Sequence, residues 1–141
     1  MFEKYYDCKV KYKDYIILIK VGNFYEAFEK DAIILNRLLG YKVKRFSKTF
    51  KLGFPLSKID DVINILKCKN INCVLYDNNV KAKEFDNNSY NDYNANVDKI
   101  ILNYIKIDRI TNYLYDNVLN DNIDNVLERI EKLIWMISYL L

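Results

Sequence analysis

Between Ala32 and Ile59 the chain holds seven cations, Arg37, Lys42, Lys44, Arg45, Lys48, Lys51 and Lys58, and not one carboxylate. Cations without interspersed acids have no local charge partner, so a stretch of this kind suits a phosphate backbone. The overall charge of +3 conceals the asymmetry behind it. Residues 1–80 carry 15 Lys plus Arg against 9 acids, a balance of +6, whereas residues 81–141 carry 7 against 10, a balance of −3. The competing explanation is a solvated basic face swollen by codon usage. The chain is crowded with Asn, Ile, Lys and Tyr, and 18 of its 22 basic residues are Lys, as an AT-rich coding sequence produces.

Hydrolytic chemistry has few residues to work with. There is no histidine, which removes the commonest general base, the Ser-His and Cys-His nucleophile pairs and the usual mixed zinc ligands. Three cysteines, Cys8, Cys68 and Cys73, make an odd number and read as reduced core thiols. The adjacent acids Asp60 and Asp61 could hold a magnesium ion for a nuclease, but at a helix start such acids serve the helix dipole. With glycine only at Gly22, Gly40 and Gly53, no Gly-x-x-x-x-Gly-Lys-Ser/Thr phosphate loop can be written. The expectation is a protein without catalytic residues, cofactor or metal.

The elements that position the cations follow from periodicity. Tyr15 to Val21 is an apolar, β-rich run long enough for a central strand, and Gly22 allows a tight turn into a second strand from Phe24 to Phe28. Asp31 begins a helix with Ile34, Leu35, Leu38 and Leu39 at helical spacing and Gly40 as its stop. Tyr41 to Phe54 reads as a strand pair with basic residues near its turn. Pro55 and Ser57 introduce a helix with Ile59, Val62, Ile63 and Leu66 on one face, and Ile71 to Tyr76 returns as a strand. Asp77-Asn78-Asn79 is a turn, and Val80 to Phe85 adds an edge strand. The fold class is α/β (α+β): a mixed β-sheet flanked by helices over residues 1–86, followed by a polar linker over 87–96.

One segment of this frame departs from ordinary strand alternation. Gly22-Asn23-Phe24-Tyr25-Glu26-Ala27-Phe28, followed by Asp31-Ala32 and joined by Leu38-Leu39-Gly40 and Gly53-Phe54-Pro55, resembles the N-terminal mismatch-recognition domain (domain I) of the MutS family over residues 14–76. That family's signature is a Gly-x-Phe-Tyr-Glu-x-Phe run and an Asp-Ala that opens a helix. Asn23 and Ala27 stand where aspartate and leucine are common. The resemblance implies that Phe24 wedges beside a mispaired base from the minor groove and that Glu26 hydrogen-bonds that base; the acid-free stretch separately offers Lys42, Lys44, Arg45, Lys48 and Lys51 as phosphate contacts. An aromatic ring inserted at a base step costs unstacking energy, and that cost falls where pairing is already defective. A carboxylate repelled by phosphates adds selectivity rather than adhesion. Without the resemblance, Phe24 and Phe28 read as core-facing strand residues and Glu26 as an exposed spacer. A full MutS protein also carries connector, lever, clamp and ATPase domains, for which 141 residues leave no room.

Residues 97–141 extend beyond that resemblance as a helical hairpin. Val97 to Leu119 places Ile100, Tyr104, Ile107, Leu114 and Val118 near one face of a long helix, and Asn120-Asp121-Asn122 turns the chain, with Asp121 a candidate N-cap and Asp124 completing an abbreviated capping box. The last helix repeats Ile123, Val126, Ile130, Leu133, Ile137 and Leu140 in alternating steps of three and four, an a/d stripe. Ile101, Ile105, Leu127, Ile134, Trp135 and Leu141 lie beside the main stripes, more apolar surface than one mutual seam hides. The cover is the chain's own sheet, the same hairpin of a second chain, or a different protein. The expectation is a homodimer through residues 97–141, which puts two weak contacts on one particle and adds avidity.

The longest apolar runs fall far below the ~18 residues a membrane span requires, and Met1 to Asp7 mixes charges and aromatics where a signal peptide is apolar. A cytoplasmic location is expected, without membrane contact. The expected function is non-catalytic binding of mismatched or distorted duplex DNA. The alternative is a protein-interaction module that docks on a repair, replication or reverse-transcription partner, such as a polymerase, with Phe24 and Glu26 as packing or interface residues. Whether Phe24 projects beside basic residues or lies buried separates the two.

Overall fold

The computed structural model describes residues 2–47 and 49–141. Contacts divide the chain into two units, the first ending at Ile101 and the second running from Leu102 to Leu141. The first is built on one mixed sheet of β1 (Ile16–Val21), β2 (Phe24–Phe28), β3 (Lys44–Phe46), β4 (Thr49–Pro55), β5 (Cys73–Asp77) and β6 (Asn79–Lys83). The spatial order is β3-β4-β2-β1-β5-β6. Only β1 and β5 run parallel, and the other pairs are antiparallel. Helices α1 (Phe2–Lys11), α2 (Glu29–Leu39) and α3 (Ile59–Cys68) accompany it.

Strand β1 is buried on both faces, which is why Ile16, Ile17, Leu18 and Ile19 form an unbroken apolar run. On one face Tyr5 and Cys8 of α1 pack with Ile17, Ile19, Phe28 and Val74. The opposite face carries Ile16, Leu18, Ala27, Leu52 and Phe54, all buried; Ile33, Ile34 and Leu35 of α2, a helix in contact with β2 and β4, and Val62 and Leu66 of α3 are buried as well. Each fully buried side chain of this size contributes about 1.5–3 kcal/mol. No element is expected before Tyr15, yet α1 is there. Its inward positions, Tyr5 and Cys8, with Tyr12 one residue past its end, are helically spaced but only weakly apolar, so the periodic signal is faint.

The hairpin between β1 and β2 turns on Gly22-Asn23, with Gly22 at φ +58, a region that a Cβ disfavours. Gly40 ends α2 at φ +72, its N–H donating to the Asn36 carbonyl at 2.8 Å, the expected left-handed stop. The start of α2 differs from expectation. The helix begins at Glu29, itself at φ +48, directly from the end of β2, and Asp31 does not cap it. Asp31 is instead fully buried. Its Oδ2 accepts the Ile17 N–H at 3.0 Å, and its Oδ1 accepts from Lys9 Nζ at 2.8 Å and from the Tyr90 hydroxyl at 2.7 Å. The pairing of β1 with β2 begins at Ile19, so the Asp31 carboxylate serves an amide that the strand leaves unpaired. Burial, and then the Asp31 charge, push the Tyr5 and Tyr90 phenols far above their ordinary range.

Residues 87–96, expected as a solvated linker, belong to the first unit. Ser89 donates its N–H to the Asn70 carbonyl at 2.8 Å, Asn88 Nδ2 donates to the Asp14 carbonyl at 2.8 Å, and Tyr90 is buried. Asn88 and Ser89 tie backbone groups at the end of the sheet, while Asn87, Asn91, Asp92 and Asn96 of the same stretch stay exposed. Of the three cysteines expected in the core, Cys8 and Cys73 are buried, whereas Cys68, in the last turn of α3, is exposed.

The second unit follows from α4 (Val97–Asp116), which starts in the first unit, and contains α5 (Ile123–Ser138). Helix α4 stops at Asp116 rather than Leu119, and the Asn117 side chain donates back to the Tyr113 carbonyl at 2.8 Å. Asn122, not Asp121, holds the N-cap position of α5, without a side-chain cap bond. Within the expected stripe Ile123 is buried and Ile130 half-buried, while Val126, Leu133, Ile137 and Leu140 are exposed. Among the described residues no helix is long and apolar enough to cross a membrane.

Candidate nucleic-acid interface

Alternation along β2 sends Tyr25 and Ala27 to one face of the sheet and Phe24, Glu26 and Phe28 to the other. At the Phe28 end this second face is covered by α1, and Phe28 is 0 % exposed. At the other end cover is lost, and Phe24 is 49 % exposed. In the ladder with β4, Phe24 faces Pro55, Glu26 faces Gly53 and Phe28 faces Lys51. Lys51 in turn faces Lys44 of β3. The register therefore brings Phe24, Glu26, Gly53, Lys51 and Lys44 around one open recess of about 200 Å³.

Gly53 keeps that recess open. It is the position directly across from Glu26, and a Cβ built there would lie 3.6 Å from Glu26 Cγ and 3.6 Å from the Tyr25 carbonyl oxygen, an ordinary contact distance. Space, not backbone strain, is what the missing side chain supplies. Glu26 itself is only 7 % exposed. Lys51 Nζ stands 2.7 Å from its Oε2 and 4.4 Å from the Phe46 ring centroid. Oε2 is buried and accepts no aligned hydrogen bond, so the ammonium holds it by charge at close range rather than along a directed N–H. Lys44 is exposed, and among the described residues no carboxylate pairs with it.

The expected site residues thus separate. Phe24 and Glu26 share one face, with Phe24 exposed and Glu26 sunk beside a lysine rather than standing as a solvated spacer. Lys44 and Lys51 join them. Arg45, in register with the buried Phe50, belongs to the opposite face. Lys42 is exposed just ahead of β3. Lys48 lies outside the described residues. Gly53 sits inside β4. Glycine within a strand flags the close approach of something else, and that signal could have placed it in the site.

The family model described as MutS domain I matches residues 1–109. A DNA mismatch repair protein MutS from Borreliella afzelii is 30 % identical over 129 residues, covering 90 % of this chain and 13 % of that protein. Proteins of the same name from Fervidobacterium nodosum and Pseudothermotoga lettingae are 35 % and 51 % identical over 66 residues, 47 % of this chain and 8 % of each of them. The chain thus spans 8–13 % of the length of these curated relatives. The match covers the whole first unit, its six-stranded mixed sheet and the strand that carries Phe24 and Glu26. By that coverage the chain belongs to the MutS domain I family.

Proposed function

We propose that this protein binds duplex DNA at mispaired or distorted sites, without catalysis, as a module related to DNA mismatch repair acting in the cytoplasm. Phe24 enters beside the defective base step, and Glu26 accepts a hydrogen bond from the displaced base. The observation that carries this reading is the exposure of Phe24, 49 % in a strand whose next same-face aromatic, Phe28, is fully buried. An aromatic residue needed for packing would be covered, as Phe28 is. One left in water at the rim of a recess between two lysines is placed to meet a ligand. A flat ring suits a base step, and the unstacking it requires is smallest where pairing has already failed.

Affinity comes from the cations. Lys44 shares the face with Phe24, and Lys42 is exposed nearby, so both are assigned to phosphates. Arg45, on the other face, contributes less. Each lost phosphate contact reduces the salt dependence of binding by about 0.9 in log-log slope. Fluorescence anisotropy with mismatched, bulged and perfect duplexes at two salt concentrations tests the reading. Weak, steeply salt-dependent binding is expected, with preference for the defective duplexes that Phe24→Ala abolishes. Replacing Lys42 and Lys44 should weaken all duplexes alike. The absence of binding to any duplex at low salt would refute the DNA reading.

A second feature favours a protein partner for residues 102–141. Leu133, Ile134, Trp135, Met136, Ile137 and Leu140 of the second unit are exposed together, a run of large apolar side chains that water does not favour. The repeat in α5 matches a helical seam, and a second copy of this hairpin would supply the complementary one. The same surface is compatible with docking on a repair or polymerase protein. The oligomeric state distinguishes the two.

A further inference from the structure

Lys51 was grouped with the phosphate-binding lysines, but its surroundings differ from theirs. Its ammonium is held on two sides, 2.7 Å from Glu26 Oε2 and 4.4 Å from the Phe46 ring centroid. Its side chain is 25 % exposed and that of Glu26 only 9 %. Lys44, its cross-strand neighbour, is exposed and pairs with no carboxylate among the described residues. Two lysines face each other on adjacent strands, and only one is committed to an acid.

We propose that Lys51 is a positioning residue for Glu26 rather than a phosphate contact, an inference that rests on the DNA reading above. A carboxylate brought against duplex DNA meets the repulsion of the phosphates, and one sunk into protein without a counter-charge is destabilised further. A lysine at 2.7 Å cancels that charge locally. It also holds the carboxylate by one oxygen, Oε2, and leaves Oε1 without a hydrogen bond from any described residue. A displaced base can then donate to Oε1 without breaking the pair. The Phe46 ring, 4.4 Å from the ammonium, gives the cation a second contact within the protein that opposes its being drawn off to a phosphate. Gly53, opposite Glu26, keeps the approach open. The lysine makes the acid tolerable to DNA; the acid does the reading.

The test uses the full chain with mispaired and fully paired duplexes across a salt series, comparing Lys44→Gln, Lys51→Gln, Lys51→Arg, Glu26→Gln and the double variant Glu26→Gln with Lys51→Gln. Lys44→Gln should weaken both duplexes equally and lower the salt slope by about 0.9. Lys51→Gln should leave the slope unchanged and cut the preference for the mispaired duplex by about tenfold, an effect of the size expected for directly interacting residues. Lys51→Arg should retain the preference. In the Glu26→Gln background the Lys51 change should have no further effect, and that double variant stays informative if Lys51→Gln alone folds poorly. A uniform loss with a slope lowered by about 0.9 in Lys51→Gln, or an undiminished Lys51 effect without the Glu26 charge, overturns the positioning role while leaving the DNA reading intact. A wild-type chain that shows no preference between the duplexes overturns both.

Discussion

Gly53 stands directly opposite Glu26 across the β2 and β4 ladder, and the side chain it lacks is the opening above the acid. A methyl group fits there at ordinary contact distance, whereas a longer side chain would occupy the recess beside Phe24. Gly53→Ala is therefore expected to leave both folding and DNA preference intact. Gly53→Leu should fold with an unchanged thermal midpoint but lose about tenfold in preference for mispaired duplex, the scale on which a pocket rejects misplaced atoms. Circular dichroism melts and anisotropy on the same two variants check both halves. Retained preference in Gly53→Leu would count against access through this recess.

Phe24 and Phe28 are four residues apart on one face of one strand, and their truncation should have opposite consequences. Phe28→Ala removes a fully buried ring and should cost about 3–5 kcal/mol in urea denaturation. Phe24→Ala removes a half-exposed one and should cost under about 1 kcal/mol. If the two losses are equal, Phe24 belongs to the core and the wedge reading fails.

Burial pushes the Cys73 thiol up to about 11 from an ordinary 9.0. The folded state therefore prefers the neutral thiol. Its contribution is fully present below about pH 9, where both states are protonated, and is lost as pH rises to about 11. At about 1.4 kcal/mol per pH unit the loss approaches about 3 kcal/mol. The phenols of Tyr5 and Tyr90, raised by burial and by Asp31, add to the decline above their ordinary 10.0. The urea midpoint is expected to fall steadily between pH 9 and pH 11, and less steeply over that interval in Cys73→Val. Equal slopes for the two proteins would mean that the thiol is not buried as described.

From the exposed apolar run in α5 we expect a homodimer through residues 97–141. Sedimentation equilibrium should give roughly twice 16.9 kDa for the unaltered chain. Ile130→Glu puts a carboxylate into the seam, and the several kcal/mol this costs should return the protein to a monomer. A wild-type chain that stays monomeric at high micromolar concentration would rule the dimer out and leave the surface to another protein.

Much of the first unit was legible from residue types alone. The apolar run Ile16 to Ile19, the Gly22-Asn23 turn, the Gly40 stop and the strand from Cys73 each carry a local physical signal, since periodicity and left-handed glycines act over a few residues. The strand from Phe24 to Phe28 was legible too, and alternation along it puts Phe24 and Glu26 on one face. Lys44 and Lys51 were legible as cations, but not as partners of different things.

What tertiary structure decided was pairing across the chain. Nothing near Glu26 in sequence announces Lys51, 25 residues on; the register of β2 with β4 brings them to 2.7 Å. Nothing local makes Arg45 differ from Lys44, yet one residue of alternation moves it to the opposite face. Asp31 read as a helix opener and became a buried acceptor, because the end of β2 left the Ile17 amide without a strand partner. Tyr90 read as linker and closed that same network from 59 residues away. Local propensity depends on near neighbours, whereas burial, charge pairing and register depend on which distant residues the sheet places side by side, and that is settled only when the whole fold assembles.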